Sequence, residues 1–239
     1  MERLNKVLAS SGISSRRKAD ELIRRGAVSV NGVVVTELGT KVNGKDIVMV
    51  KGKIIKKEEH VYYVMNKPTG YITSVKDEKK RKIVMDLIEN ADLVNRIYPV
   101  GRLDYDTAGV LLLTNDGEFL NKITNPENEI EKEYLARVEG IVNKIELTNL
   151  SKGVLLSTGY KTKPCTAGIV SIDRKNNSSL LNIIINEGKN RQVRLMCEAI
   201  GHNVKKLTRV RIDNITLEGI PRGCYRELKI HEVKQIFGR

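Results

Sequence analysis

The sequence predicts an α+β protein in two parts: a small N-terminal α/β module, and a larger domain built on a mixed, largely antiparallel sheet with flanking helices. The first observation is the order of segments, since two helix-like stretches open the chain and short strand-like runs follow them. The second is that several consecutive strand-like runs beyond residue 60 have no helix between them, which favours α+β over a doubly wound fold. A chain of 239 residues has room for one medium domain and a small appendage.

The first two predicted elements are short amphipathic helices. The apolar positions of the first are Leu4, Val7 and Leu8. Ser14 is expected to cap the second helix, because serine is a preferred residue at a helix start. The apolar positions of this second helix are Ala19, Leu22 and Ile23. Both helices therefore have one face suited to a small core.

Strand-like runs complete the N-terminal module. Two of them flank Asn31-Gly32, a pair typical of the type I′ hairpin turn, which requires positive φ at both central residues. A second pair, Asn43-Gly44, precedes the apolar run 47–50. The charged stretch 56–59, Lys56-Lys57-Glu58-Glu59, is the best candidate for a linker. We therefore expect domains at 1–58 and 59–239.

The second helix carries a concentration of positive charge. Its cations are Arg16, Arg17, Lys18, Arg24 and Arg25. Such a run is usually a solvated helix face, but only Asp20 and Glu21 oppose these five cations. Residues 1–60 carry 13 Lys and Arg against 7 Asp and Glu, a net charge of +6. Contact with RNA is therefore favoured over a merely solvated surface.

The larger domain alternates strand-like and helix-like segments. Strands are predicted at 61–64, 110–114, 167–172, 180–186 and 206–212, and helices near 84–88, 145–150 and 192–200. Two segments between them are unusually polar or charged for their positions. They are the loop 101–109 and the segment 187–194.

The loop Gly101-Arg102-Leu103-Asp104-Tyr105-Asp106-Thr107-Ala108-Gly109 leads into a very apolar strand. Loops beside a rigid strand often carry reactive side chains, although Asp104 and Asp106 also suit turn or capping positions. The spacing of the two carboxylates is that of aspartyl-phosphate enzymes. That pattern requires an apolar strand before the first Asp and Thr four residues after it, and position 108 is Ala. This alternative therefore fails.

The segment Glu187-Gly188-Lys189-Asn190-Arg191-Gln192-Val193-Arg194 follows a predicted strand and opens a predicted helix. Three cations in the first turns of a helix oppose its macrodipole, so an anion is expected to bind there. This anion could be RNA phosphate, a carboxylate of the protein, or each in turn. The alternative is a set of ordinary surface cations.

Composition narrows the class of function. The net charge of +13 favours a polyanionic partner, while 4% aromatic residues and no Trp argue against stacking platforms for single strands. The cysteines (Cys165, Cys197, Cys224) and histidines (His60, His202, His231) are scattered, so no metal site or disulfide framework is predicted. No apolar stretch approaches a membrane span or the core of a signal peptide, and we expect a cytoplasmic protein.

Ordered motifs extend the analysis to nearly the whole chain. Residues 1–50 resemble an S4 RNA-binding domain, through 3–9, 14–19, 27–32 and 46–50. The motifs that follow are Asn66-Lys67-Pro68-Thr69-Gly70, Gly101-Arg102-Leu103-Asp104, Lys132-Glu133-Tyr134, the segment 187–194, and Leu207-Thr208-Arg209-Val210-Arg211-Ile212. In this order they resemble the RsuA/RluB family of ribosomal RNA pseudouridine synthases.

The resemblance implies roles for individual residues. Asp104 would be the catalytic aspartate, Tyr134 the aromatic residue that packs against the target base, and Arg194 the cation paired with Asp104. Lys67 and Pro68 would shape the site from the end of the first strand. The residues expected to contact RNA are Arg3, Arg16, Arg17, Lys18, Arg24, Arg25, Lys67, Arg102, Lys189, Arg191 and Arg209. Leu195 departs from the family, in which many relatives carry a second basic residue there. The reaction requires no cofactor or metal.

The implied activity is isomerisation of a flipped-out uridine to pseudouridine in ribosomal RNA, with large-subunit RNA preferred over small-subunit RNA. The implied partner is ribosomal RNA or an assembling ribosomal subunit, bound by a monomer with no protein partner and no membrane. One alternative is a non-enzymatic RNA-binding or ribosome-assembly protein, which would not need Asp104, Tyr134 and Arg194 together. Another is a nucleotide or phosphate-ester enzyme, but the sequence shows no Gly-rich phosphate loop.

Overall fold

A computed structural model describes residues 1–56, 58–90, 93 and 97–238. The chain divides into two compact units, Met1–Val61 with Asn115–Gly117, and Tyr62–Thr114 with Glu118–Arg239. Lys57, within the predicted linker, lies outside the described residues. None of the helices in the described part has the length and apolar content needed to cross a bilayer. The mixed α+β class is as predicted.

The first unit begins with two helices, α1 (Leu4–Ser10) and α2 (Arg16–Arg24). Their apolar positions pack into one core, as the spacing predicted. The predicted cap was wrong by one residue, because the Ser15 side chain accepts the bond from the backbone N–H of Lys18. The Ser14 hydroxyl instead donates to the Ser15 carbonyl. Either of two adjacent serines can cap a helix. Here Ser15 is the residue with extended backbone directly before the first helical turn, so its hydroxyl accepts the bond.

Six short strands complete the first unit: β1 (Glu2–Arg3), β2 (Val28–Val30), β3 (Val33–Val34), β4 (Lys41–Val42), β5 (Val48–Val50) and β6 (Lys53–Ile54). β1 pairs with β4, and the others form a sheet in the order β3-β2-β5-β6. The predicted hairpin is confirmed, since β2 and β3 pair across Asn31 (φ 51°) and Gly32 (φ 84°). Positive φ at both positions is what the type I′ turn requires.

The second unit is organised around one large sheet. Its strands are β7 (Tyr62–Lys67), β8 (Tyr98–Val100), β9 (Thr107–Thr114), β10 (Lys132–Glu139), β11 (Thr166–Asp173), β12 (Ser178–Ile185), β13 (Val204–Ile212), β14 (Ile215–Thr216) and β15 (Tyr225–Glu227). The main order is β11-β12-β10-β13-β9-β7-β15, with β14 on β13 and β8 on β9. Among the described strands only β13 and β9 pair in parallel. The five predicted strand runs lie within these strands to within a residue at their ends.

In the described part of the second unit, the helices that cover the sheet or lead into it are α3 (Gly117–Thr124), α4 (Lys144–Ser151), α5 (Gln192–Ala199) and α6 (Ile230–Phe237). Short 3-10 turns occur at Val84–Leu87 and Pro126–Asn128. The helix expected near 84–88 is thus only a single 3-10 turn. The Val84 amide donates to the Ile72 carbonyl, and the backbone is again extended at Ile88. These two constraints leave no room for a longer helix.

β9 occupies the centre of the core, and all eight of its residues are buried. It therefore lacks polar–apolar alternation, which is typical of a strand covered on both faces. Gly109 adopts φ 114°, and a Cβ there would lie 2.0 Å from the Arg209 carbonyl oxygen. Only glycine permits this approach of β13 to β9. The close approach carries Arg209 to the start of β9, next to the loop that contains Asp104.

Candidate active site

A cavity of about 270 Å³ opens in the second unit, where the loop before β9 faces β10, β13 and the start of α5. Its lining includes two residues with predicted catalytic roles, Asp104 and Tyr134. Five cations also line it. They are Arg102, Lys132, Lys189, Arg191 and Arg209. The cavity therefore unites five segments that are separated in sequence: 100–107, 123–126, 132–134, 185–193 and 207–212.

The loop that carries Asp104 is held by hydrogen bonds to its backbone. The Lys67 amine, at the end of β7, donates to the carbonyl oxygens of Pro68 (3.1 Å), Asp104 (3.0 Å) and Thr107 (2.9 Å). The Thr73 hydroxyl donates to the Leu103 carbonyl at 2.7 Å and accepts from the Leu103 amide. Asp104 is thus a half-buried carboxylate in a fixed backbone conformation.

Lys67 was predicted to contact RNA, and its burial argues against that prediction. The side chain has no exposed surface, and its amine is occupied by the three carbonyls. Burial lowers the pKa of Lys67 from 10.5 to about 8, although the carboxylates of Asp104 and Asp106 oppose the shift. The role visible in the structure is to shape the loop from within.

Arg194 does not form the expected ion pair with Asp104. Its Nη2 instead lies 3.0 Å from the Asp106 carboxylate and donates to the Asp106 carbonyl at 3.1 Å. Its Nη1 donates to the Val204 carbonyl at 3.2 Å. Asp104 and Asp106 are two residues apart, so either could pair with Arg194 on sequence grounds. In the loop conformation held by Lys67, it is Asp106 that faces the guanidinium. Arg194 therefore ties α5 and β13 to the loop that contains Asp104.

Tyr134 lies on β10 and is buried, with 8% of its surface exposed. It pairs with Ile183 on β12 and with Arg209 on β13. It forms part of the cavity wall, and its role against a flat base stays a prediction. Lys132 lies two residues earlier and also lines the cavity, because alternate residues of a strand share a face. Lys132 belongs to the motif Lys132-Glu133-Tyr134 but had no predicted role. Its spacing of two residues from Tyr134 indicates that both side chains lie on the same face of a strand.

The segment 187–191 is supported by a buried carboxylate. Glu187 accepts hydrogen bonds from the Tyr160 hydroxyl (2.6 Å), the Lys163 amide (3.1 Å) and the Gln192 side chain. The Gln192 oxygen in turn accepts from the Lys189 amide at 2.8 Å. The Lys189 amine lies 4.8 Å from the centre of the Tyr160 ring. Residues 160 and 163, far from any quoted motif, thus shape the basic segment.

The cavity cations fall into two groups. Arg102, Lys189 and Arg191 are exposed at the rim, where a phosphate can reach them. Lys132 is half-buried and Arg209 only 4% exposed, so these two belong to the wall. Because Arg209 is buried in the wall, any contact that it makes with RNA, as predicted, lies inside the cavity. Burial, reinforced by the charge of Arg209, lowers the pKa of Lys132 to about 8.

The first unit presents its cations to solvent. Arg3 and the five predicted cations of α2 are all exposed. The opposite face of α2 is buried through Ala19 and Ile23, as amphipathic spacing predicted. Within the described residues no cluster of three His, Cys, Asp or Glu side chains could hold a metal ion.

Comparison with known proteins identifies both units. Residues 61–199 match the family model of RNA pseudouridylate synthase, and residues 2–48 match that of the S4 domain. These matches define an RNA-modifying isomerase that carries an S4 module. The chain belongs to the RNA pseudouridylate synthase family.

Several relatives match along nearly the whole chain. It is 52% identical to ribosomal large subunit pseudouridine synthase B of Bacillus subtilis (strain 168), over 99% of this chain and 96% of the relative. It is 39% identical to the dual-specificity RNA pseudouridine synthase RluF of Escherichia coli (strain K12), over 98% of this chain and 78% of the relative. A crystal structure of a pseudouridylate synthase superposes with a TM-score of 0.71 at 30% identity, covering 99% of this chain and all of that one.

Proposed function

We propose that this protein converts a specific uridine of large-subunit ribosomal RNA to pseudouridine, with Asp104 as the catalytic carboxylate. The observation that carries the proposal is the cavity in which Asp104 and Tyr134 lie together beneath a rim of exposed cations. The 52% identity to a Bacillus subtilis large subunit synthase, over almost the full length of both chains, supports the choice of RNA.

The reaction breaks the bond between ribose C1′ and uracil N1, turns the base, and joins C5 to C1′. The hydrogen on C5 leaves as a proton and N1 gains one, so there is no net change in composition. Asp104 can serve as nucleophile or base when it is ionised. Lys67 and Thr73 hold the backbone on either side of it, which keeps the carboxylate in place through both bond changes.

The target uridine has to leave the RNA stack before it can enter the cavity, at a cost of about a few kcal/mol. Tyr134 offers an aromatic wall for the extruded base. Contacts between RNA phosphates and cations offset that cost. The proposed cations are those of the cavity rim and those of the S4 module. Binding is therefore expected to weaken steeply with salt.

We expect the protein to act in the cytoplasm, as a monomer, on ribosomal RNA or an assembling subunit. The cytoplasmic location follows from the proposed substrate. Sedimentation at micromolar concentration tests the oligomeric state, and a stable dimer would contradict this part of the proposal.

The function is tested by mapping pseudouridine in total RNA from cells that lack this protein, since one relative is named a dual-specificity synthase. The deletion strain is complemented with wild type, with Asp104→Asn, or with Glu198→Gln as a control at an exposed carboxylate on α5. We expect loss of a large-subunit site that wild type and the control restore and Asp104→Asn does not.

Two results would contradict the proposal in different ways. If no site changes in the deletion strain, the proposed activity is wrong. If Asp104→Asn restores the site, the activity stands and the assignment of Asp104 is wrong.

A further inference from the structure

A half-buried cation and a buried one share the wall of the cavity. Lys132 on β10 and Arg209 on β13 belong to neighbouring paired strands, and both line the cavity with Tyr134. Arg209 Nε donates to the Val110 carbonyl at 2.9 Å, while its Nη2 is buried with no hydrogen-bond partner. The Lys132 amine donates to the Ile130 carbonyl at 2.9 Å.

Neither cation is held in an ion pair by a described residue, although the Asp104 carboxylate lines the same cavity. In the part of the chain that the structure describes, no carboxylate forms an ion pair with Lys132 or Arg209. Arg211, on the same strand as Arg209, shows the contrast. Its guanidinium lies 2.6 Å from the Glu133 carboxylate and 3.1 Å from that of Glu131. Away from the cavity, Arg211 therefore forms ion pairs with carboxylates. Lys132 and Arg209, in the cavity wall, form none within the described residues.

Such an arrangement is unfavourable in the absence of a bound anion. Two like charges repel, and burial removes the water that would screen them. The depressed pKa of Lys132 reflects both effects, burial first and the charge of Arg209 second. Fixed charges of this kind favour an anion that forms in the cavity, because they are already oriented when the charge develops.

The proposed reaction generates such an anion. Heterolysis of the C1′–N1 bond leaves the electron pair on the uracil, where it is delocalised from N1 onto O2 and O4. The charge disappears when C5 joins C1′, the C5 proton departs to a base and N1 is protonated. An anionic base therefore exists between the two bond changes, when it is held only by non-covalent contacts.

We propose that Lys132 and Arg209 stabilise the uracil anion that is released between cleavage and re-formation of the glycosidic bond. This inference rests on the proposed function. Tyr134 shares their face of the sheet, so the same wall offers an aromatic surface and two positive charges to the detached base. The charges lower the barrier to cleavage and keep the base within reach of C1′ while it turns.

An RNA phosphate is the other anion that could meet these cations. The two sources predict opposite results, because a phosphate contact acts on binding whereas a contact to the uracil anion acts on the rate after binding. The exposure of the side chains favours the base. Exposed cations at the rim are available to phosphates, whereas Arg209 is 4% exposed.

The test compares Lys132→Gln and Arg209→Gln with wild type and with Lys206→Gln, an exposed position on β13. Affinity for the substrate RNA is measured by filter binding across a salt series. The rate is measured under single turnover with saturating enzyme, as release of tritium from C5 of the uridine. We expect the two wall variants to lose about 100-fold in rate, a typical effect of removing one electrostatic stabiliser, with unchanged affinity and salt slope. Lys206→Gln should match wild type in rate, in affinity and in salt slope.

Chemical rescue covers the case in which Arg209→Gln does not fold. Lys132→Ala leaves space for a small primary alkylammonium ion, which should restore part of the rate, while sodium at the same concentration should not. Normal single-turnover rates in the wall variants would overturn the inference, as would weakened binding and a shallower salt slope with an unchanged saturated rate. If wild type itself releases no tritium from ribosomal RNA, the proposed function fails, which is a distinct result.

Discussion

Replacement of Lys67 by Met should both destabilise the protein and impair catalysis. The substitution keeps a long apolar side chain in a site with no exposed surface, and it removes the amine that donates to the carbonyls of Pro68, Asp104 and Thr107. Two of these carbonyls belong to the loop that presents Asp104. The loop would then lose its side-chain bonds to the end of β7, while the backbone pairing of Lys67 with Gly109 remains.

The magnitude follows from two opposing contributions. A buried carbonyl that loses its partner costs about 1–3 kcal/mol. The Asp104 carbonyl keeps the Thr107 amide as a donor, so the other two carbonyls together cost about 4 kcal/mol at the middle of that range. Removing the ammonium group also removes the cost of burying its charge. That burial is what lowers the pKa of Lys67 from 10.5 to about 8 in the wild type. A shift of that size corresponds to about 3 kcal/mol. We therefore expect Lys67→Met to lower the free energy of unfolding by about 1 kcal/mol at pH 7.

The sign of the pH dependence is opposite to that of an ordinary ion pair. The amine of Lys67 loses its proton near pH 8 in the folded protein and near 10.5 in the unfolded chain, so the unfolded state binds more protons between these values. The contribution of Lys67 to the free energy of unfolding of the wild type therefore rises as the pH increases from about 8 to 10.5. The difference between wild type and Lys67→Met should grow by about 2 kcal/mol from pH 7 to pH 10.

Urea denaturation at pH 7 and pH 10 measures both quantities, and single-turnover tritium release at pH 7 measures the effect on the site. Lys79→Met, at an exposed lysine of the same unit, is the matched control and should change neither. A stable Lys67→Met variant with the wild-type rate would refute the role of Lys67 in holding the loop. A stability difference that shrinks towards pH 10 would refute the argument from burial.

Three further predictions concern RNA binding, pH and the basic segment. Arg17→Glu with Arg24→Glu should weaken RNA affinity and reduce the slope of log affinity against log salt, measured by filter binding; unchanged binding would move the RNA contact away from α2. If the charge of Lys132 is needed, the single-turnover rate should fall above pH about 8 as this amine loses its proton, and Lys132→Arg should abolish that fall; a wild-type rate that is flat to pH 10 would contradict it. Tyr160→Phe removes one donor from the Glu187 carboxylate and should cost about 1.5 kcal/mol of stability and raise KM, with kcat little changed; identical melting and KM would show that the bond is unimportant.

Local pattern was sufficient to predict most of the first unit. The helical spacing of Leu4 and Leu8 identified the buried face of α1, and Asn31-Gly32 identified the hairpin because few residue pairs accept two positive φ values. The error at Ser14 and Ser15 has a physical cause. Two adjacent capping residues are equivalent in sequence, and the difference lies in which of them has extended backbone next to the first helical turn.

The order of motifs predicted the contents of the active site better than its contacts. Asp104 and Tyr134 were each assigned a role in one active site, and both line one cavity. The partner of Arg194 was not predictable, because two carboxylates stand two residues apart and the bonds from Lys67 decide which one faces the guanidinium. A side chain expected to bind RNA thus determines the geometry from inside the protein.

The distribution of charge around the cavity depends on one irregularity that alternation along a strand does not reveal. By a simple two-residue period, Arg209 and Arg211 would lie on the same face of β13. The register shifts between Glu133 and Tyr134, however, so that Glu133 pairs with Arg211 and Tyr134 with Arg209. β13 therefore has one extra residue opposite this step, and the faces of the two arginines are divided. Arg211 meets its carboxylates on one side, whereas Arg209 enters the cavity beside Tyr134 without one. The bulge in β13 interrupts regular strand pairing. Its consequence is that Arg209, without an ion pair among the described residues, lies in the cavity where the proposed reaction would form an anion.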